Sequence, residues 1–188
     1  MSAREAFQFV HPLTAEDYLT GEREADHRHE FFNGEVYAMA GASKNHERVS
    51  MNLASAIHSH LSGHPCEVFK SDMKVRIKFG ENEAFYYPDI VVGCDPDEPD
   101  DHYLDSPKLI VEILSNDEKR DRLEKFLVYQ QLTTLEEYVV IGQNPKKPEV
   151  TIHRRSDSWK PEKHTEGSFT LKSIDLTLDV VAIYPPRQ

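Results

Sequence analysis

The sequence predicts an α/β (α+β) fold, a mixed β-sheet flanked by helices with a β-hairpin near the N-terminus. Three observations carry this prediction. Residues 67–79 alternate between apolar and polar with the period of a strand. Two apolar runs, 109–114 and 137–142, stand either side of a helical stretch, the pattern of strands joined by a helical crossover. An Asn33-Gly34 pair sits between apolar residues, a strong short-range hairpin signal. The chain of 188 residues suits one domain, 1–188, with its core at about 43–155.

From the N-terminus, Thr14 is placed to cap a short helix over 15–19. The hairpin follows over 29–39. Residues 43–61 form a helix because Val49, Leu53, Ala56, Ile57 and Leu61 recur at helical spacing, and Ser62-Gly63-His64-Pro65 ends it. In the long strand 67–79, Met73, Val75, Ile77 and Phe79 face one way, and Lys70, Asp72, Lys74, Arg76 and Lys78 the other. A second strand covers 85–92, followed by an acidic loop at 96–101. The third strand, 109–114, is apolar on both faces apart from Glu112, as expected of a strand covered on both sides. A helix over 115–131, with Leu123, Phe126 and Leu127 as its apolar stripe, leads to strands at 137–142 and 149–155. Residues 169–184 supply one or two short closing strands.

Composition bounds the function. A hydrophobic share of 38% and a charged share of 29% are ordinary for a globular protein. No apolar run reaches the roughly 18 residues of a membrane span, and residues 1–10 do not read as a signal peptide. The net charge of −11, from 33 acidic against 22 basic residues, argues against a general nucleic-acid coating protein. An enzyme of DNA with a local basic patch stays compatible with it. Cys66 and Cys94 make neither a disulfide framework nor a CxxC pair, so they read as buried or inert thiols in a reducing cytoplasm. The ten histidines contain no HExxH motif, and His27-Arg28-His29-Glu30 reads as a solvated polar segment.

Two carboxylates stand out. Glu112 interrupts a strand that otherwise reads as buried, and an unpaired buried carboxylate is costly. It must be protonated, paired with Lys or Arg, or given a metal. Asp89 follows Pro88 at the start of the apolar run Ile90-Val91-Val92, and serves either to end a turn or to hold a ligand. Carboxylates on neighbouring strands suit a hard cation such as magnesium, which prefers oxygen ligands and keeps several waters. Such a cation can activate water and stabilise charge on a phosphoryl group.

A Pro-Asp dipeptide followed by a Glu-bearing strand, within this order of elements, resembles the PD-(D/E)XK restriction-endonuclease-like superfamily. More narrowly, the chain resembles the Uma-type (Uma-two) endonuclease family. The resembling segments are Thr14-Ala15-Glu16-Asp17-Tyr18-Leu19, Glu30-Phe31-Phe32-Asn33-Gly34-Glu35-Val36, Pro88-Asp89-Ile90-Val91-Val92 and Val111-Glu112-Ile113-Leu114-Ser115. Asp121-Arg122-Leu123-Glu124-Lys125-Phe126-Leu127-Val128-Tyr129 and Glu137-Tyr138-Val139-Val140-Ile141 complete the set, which spans nearly the whole chain.

The resemblance implies a restriction-endonuclease-like fold and a metal-dependent endonuclease hydrolysing DNA. It implies Mg2+ or Mn2+ at Asp89 and Glu112, with Lys125 as the assisting lysine. The superfamily's lysine two residues beyond the glutamate is replaced by Leu114, and Lys125 is the matching residue on the next helix. Asp121 and Lys125 also have the spacing of an ordinary exposed helix pair. Glu30, Glu35 and Glu47 are auxiliary carboxylate candidates beside Asp121. Lys74, Arg76, Lys119 and Arg122 are candidate phosphate contacts, or else part of a solvated face. The expected partner is DNA, with no membrane, and a homodimer is the base-rate assembly. The competing readings are a catalytically silent nuclease-fold binding or assembly module, which Leu114 and the acidity favour, and a small-molecule phosphoesterase.

Overall fold

The hairpin at Asn33-Gly34 is the outer corner of a five-stranded sheet in the computed structural model of the protein. The structure describes residues 12–114 and 119–184, with the backbone alone for 119–122. Strands β1 (His29–Phe32) and β2 (Glu35–Ala38) are joined by Asn33 and Gly34 at φ 48° and 87°. A two-residue loop of this hand needs positive φ at both positions, which Asn and Gly tolerate best. Helix α1 (Ala15–Glu24) starts in a capping box. Thr14 Oγ1 accepts the Asp17 N–H at 3.1 Å, and the Asp17 carboxylate accepts the Thr14 N–H at 3.2 Å. Its buried Tyr18 stacks on Phe31 of β1, with ring centroids 5.1 Å apart.

Helix α2 (Lys44–His60) runs as its periodicity predicts. Val49, Leu53, Ile57 and the C-cap Leu61 are buried against a six-stranded sheet. The chain then makes β3 (Glu67–Lys70), β4 (Lys74–Phe79), β5 (Asn82–Tyr86), β6 (Ile90–Gly93), β7 (Tyr103–Leu104) and β8 (Pro107–Leu114). Helix α3 (Lys119–Tyr129) crosses to β9 (Glu137–Gly142), and β10 (Val150–Arg154), β11 (Pro161–His164), β12 (Ser168–Leu171) and β13 (Leu176–Asp179) follow. The five-stranded sheet has the order β2-β1-β5-β4-β7 and the six-stranded sheet β11-β10-β9-β8-β6-β3, while β12 and β13 pair with each other. Strands β8 and β9 are parallel neighbours joined through α3, the crossover unit expected from the sequence.

Apolar side chains of the six-stranded sheet alternate between two cores. Ile90, Val92, Leu109 and Val111 meet α2 and the C-terminal segment, including Phe169, Leu171 and Val180. Val91, Ile110 and Tyr138 point the other way, against Tyr129 of α3 and against Val75, Ile77 and Tyr86 of the five-stranded sheet. Each fully buried aliphatic side chain in these layers contributes roughly 1.5 to 3 kcal/mol.

The structure corrects four expectations. The strand expected over 67–79 is two strands in two sheets, broken where Ser71 takes a left-handed φ of 63°. The strand expected over 85–92 breaks likewise at Tyr87-Pro88-Asp89, where the proline has no N–H for a ladder. On α3, Leu123 and Leu127 are exposed at 61% and 53%, while Tyr129 is wholly buried; the helix turns its Lys125/Phe126/Tyr129 side to the sheets. The start expected for that helix, 115–118, lies outside the described residues. Finally, Cys66 and Cys94 are joined as a disulfide. Glu67 pairs with Gly93 in the β3–β6 ladder, so the two cysteines face each other one step beyond it, a register that cysteine spacing does not reveal. Among the described residues no helix is long and apolar enough to cross a membrane.

Candidate active site

Antiparallel pairing of β6 with β8 sets Ile90 against Val111. One step further along the same register brings Asp89, in the break before β6, beside Glu112. The two carboxylates come close enough there for the Asp89 charge to act on Glu112. Asp89 lies just before the first residue of β6, and its carboxylate has two partners. Its Oδ2 accepts the backbone N–H of Ile113 at 2.7 Å, and its Oδ1 lies 3.0 Å from Nε2 of His46.

Four further side chains close around this pair. Lys125, one turn before Tyr129 on α3, is 14% exposed and reaches in over the ring of Tyr86, 5.2 Å from its centroid. Its Nζ lies 3.9 Å from Glu112 Oε1 and donates to Glu30 Oε1 at 2.5 Å. Glu30, on β1, is 2% exposed and also accepts the N–H of Tyr87 at 3.3 Å. Tyr129 donates its hydroxyl to Glu112 Oε1 at 3.2 Å. His46, in the first turn of α2, completes the group.

The electrostatics are those of a site with an excess of buried negative charge. Burial pushes the Glu112 carboxyl up to about 8, against the pull of Lys125, and the charges of Asp89 and Glu30 push in the same direction. For His46, burial works against the imidazolium, but its hydrogen bond to Asp89 and the charges of Asp89, Glu47 and Glu112 outweigh it and raise its pKa above 6.5.

Among the described residues, no three His, Cys, Asp or Glu converge closely enough to form a complete metal cage. The donor chemistry nevertheless fits a hard cation. Magnesium is typically held by one or two carboxylates, with waters and substrate phosphate supplying the rest. Asp89 and Glu112 are such a pair, and added positive charge beside them would offset the burial and the like charges that raise Glu112.

Of the residues singled out in the sequence, the structure brings together Asp89, Glu112, Lys125 and Glu30. Glu35 lies at the hairpin, exposed and bonded to the Tyr37 hydroxyl. Glu47 is 51% exposed and pairs with Lys70 at 3.1 Å. Lys74 is buried beneath Tyr87, donating to its hydroxyl at 3.3 Å, and Arg76 is paired with Asp105. The side chains of Lys119, Asp121 and Arg122 lie outside the described residues. Sequence reasoning missed His46 and Tyr129. Tyr129 shares a helix face with Lys125 at i, i+4, a signal that was available. His46 carried none, because its contact with Asp89 joins elements 43 residues apart.

Comparison with known proteins agrees with this architecture. A solved structure described as "a putative nuclease belonging to DUF820" from Anabaena variabilis superposes with a TM-score of 0.70 at 17% identity, covering 92% of this chain and 97% of that one. At that identity the likeness shows the fold. Two uncharacterized proteins of Synechocystis sp. are closer in sequence. The protein slr1290 is 34% identical over 177 residues, 92% of this chain and 91% of its own. The protein sll1609 is 36% identical over 135 residues, 70% of this chain and 75% of its own. Residues 15–180 match the Uma2 family, described as "Putative restriction endonuclease", and the chain belongs to that family.

Proposed function

We propose that this protein is an endonuclease that hydrolyses DNA phosphodiester bonds with Mg2+ or Mn2+ held by Asp89 and Glu112. The observation that carries the reading is the approach of the two carboxylates, Asp89 bonded to the N–H of Ile113 beside Glu112 and its charge acting on Glu112, with the Lys125 ammonium 3.9 Å from Glu112. A cation bound there supplies Lewis acidity towards the phosphoryl oxygens and makes water a better nucleophile at neutral pH. Asp89 and Glu112 bind and orient it. Lys125 holds a positive charge beside Glu112, where charge grows on the phosphoryl group as water attacks and the P–O bond breaks. Glu30 holds Lys125 from the opposite side, and Tyr129 fixes the Glu112 carboxylate through its hydroxyl. Lys125 thus stands in for the lysine whose usual place is taken by Leu114.

Lys119 and Arg122 precede Lys125 on the same helix and are the proposed phosphate contacts. Lys74 and Arg76 already have partners in Tyr87 and Asp105, which makes them weaker candidates. A homodimer would present two such sites to the two strands of a duplex.

A catalytically silent nuclease-fold module is the second reading. The close pairing of Lys125 with Glu30 favours it, since a lysine so neutralised has less charge to offer a phosphate. One experiment separates the two. Wild type incubated with supercoiled plasmid and magnesium should nick it, Asp89→Ala and Glu112→Ala should not, and Lys125→Ala should be slower by about a hundredfold. Cleavage by Asp89→Ala at the wild-type rate would overturn the assignment. Absence of cleavage, together with no magnesium-dependent gain in thermal stability, would favour the silent module.

A further inference from the structure

The geometry points to His46 as a positioning residue that, with the Ile113 N–H, clamps both oxygens of Asp89 so that its carboxylate faces Glu112 in a fixed plane. This rests on the reading of Asp89 as a metal-binding carboxylate. Asp89 needs such a clamp because it lies in the break between β5 and β6, where Pro88 contributes no donor to a ladder. Left to itself, a carboxylate at a strand start turns about its side-chain bonds. Here Oδ2 takes the Ile113 N–H at 2.7 Å and Oδ1 takes Nε2 of His46 at 3.0 Å. A carboxylate has about four lone-pair positions, so these two bonds leave each oxygen a further one for a ligand.

His46 is itself held at both ends. Its backbone N–H donates to Ser43 Oγ at 3.2 Å, the N-cap bond of α2, and Ser43 Oγ is tied in turn to Gln143 just beyond β9. The ring is 13% exposed and lies between Asp89 on the Nε2 side and Glu47, whose Oε1 is 3.7 Å from Nδ1. Among the described residues, no atom comes within hydrogen-bond distance of Nδ1. Among the described residues the ring's one close polar contact is therefore the one to Asp89. That bond joins the helix over one face of the sheet to the strand break before β6. Neighbours that orient a metal-binding side chain in this way typically change metal affinity by 10- to 100-fold when removed.

The test compares wild type, His46→Ala, His46→Gln and Asp89→Ala by two readouts, Mn2+ binding by calorimetry and hydrogen exchange at the Ile113 amide. Glutamine at position 46 keeps an N–H donor able to reach Asp89 but offers no imidazole. His46→Ala should weaken Mn2+ binding by about 10- to 100-fold and speed Ile113 exchange, because a turning carboxylate no longer protects that amide. His46→Gln should recover much of both at a melting temperature close to wild type. Two results would overturn the inference: wild-type behaviour of His46→Ala in both readouts, or equal impairment of His46→Gln and His46→Ala. The second would make the imidazole a ligand rather than a clamp. Equal Mn2+ binding by wild type and Asp89→Ala would instead reject the metal reading of Asp89, and Ile113 exchange would still decide whether His46 holds that carboxylate.

Discussion

Glu137 and Glu112 both lie on strands of the six-stranded sheet, and their surroundings differ in kind. Glu137 is 1% exposed and fully engaged. It accepts from Arg154 Nε at 2.7 Å, from the N–H groups of Lys172 and Ser173 at 3.1 and 2.8 Å, and from Ser173 Oγ at 2.6 Å. It ties β9 and β10 to the turn after β12, a structural task. Glu112 has Lys125 and Tyr129 on one oxygen and two other carboxylates as neighbours, and burial raises its pKa. This incomplete neutralisation is what makes Glu112, and not Glu137, the candidate for the proposed site. The Arg154 that serves Glu137 also holds Glu162, and this hydrogen bond lowers the Glu162 pKa below 4.5. A carboxyl depressed in the folded state stabilises the protein above the unfolded value of 4.5 and loses that contribution as pH falls through its folded value. The stability gap between wild type and Glu162→Gln should therefore be present at neutral pH and close in acid. The side chain is 49% exposed, so the gap should stay within about 1 kcal/mol. Thermal unfolding of both proteins across that range checks it; a gap that persists in acid would contradict the assigned ion pair.

Among the elements, α3 has the most instructive face. Its two leucines at 123 and 127 point to solvent, while Phe126 stacks on Tyr138 at 4.8 Å and Tyr129 sits wholly inside the core. The helix buries a mixed stripe, Lys125 with Phe126 and Tyr129, because the layer beneath it contains the acidic site as well as apolar side chains. Leu127→Gln should thus change stability by no more than about 0.5 kcal/mol, whereas Tyr129→Ala should cost about 3 to 5 kcal/mol. Urea unfolding of the two variants measures this directly. A large loss for Leu127→Gln would mean that the exposed face is covered in solution.

At the scale of the whole molecule, β3–β4 and β5–β6 are two chain segments that each pass from one sheet into the other. They pair with each other on both sides of the breaks, and the breaks at Ser71 and at Pro88-Asp89 are themselves bonded through the Ser71 N–H and the Asp89 carbonyl at 3.1 Å. The carboxylate site sits at this corner, so its geometry depends on both sheets. The Cys66–Cys94 disulfide closes the far end of the β3–β6 pair, with a sequence separation of 28. Closing a loop of that length removes about 3 to 4 kcal/mol of unfolded-state entropy. A Cys66→Ser/Cys94→Ser variant should be less stable by up to that amount, with Ile90–Gly93 still paired. Alkylation without reductant, read by mass, tests the bond itself: two reactive thiols in the folded protein would refute it.

Much of this was legible in one dimension, and for a definite reason. The hairpin at Asn33-Gly34, the helix over α2, the β8–α3–β9 crossover and the closing strands β12 and β13 rest on local periodicity and turn chemistry, which neighbouring residues express without help. Asp89 and Glu112 stood out as candidates because a carboxylate within or next to an apolar strand run is costly unless something compensates it. Contacts between distant segments were not legible. The division of 67–79 and 85–92 between two sheets, the pairing of Cys66 with Cys94, the inward face of α3 and the meeting of Glu30, His46 and Lys125 around Glu112 all depend on strand register and on how the layers stack. A shift of one residue in register would send strand residues such as Glu30 and Glu112 to the opposite face of their sheets, and long-range packing, absent from any short window of sequence, selects the register that occurs.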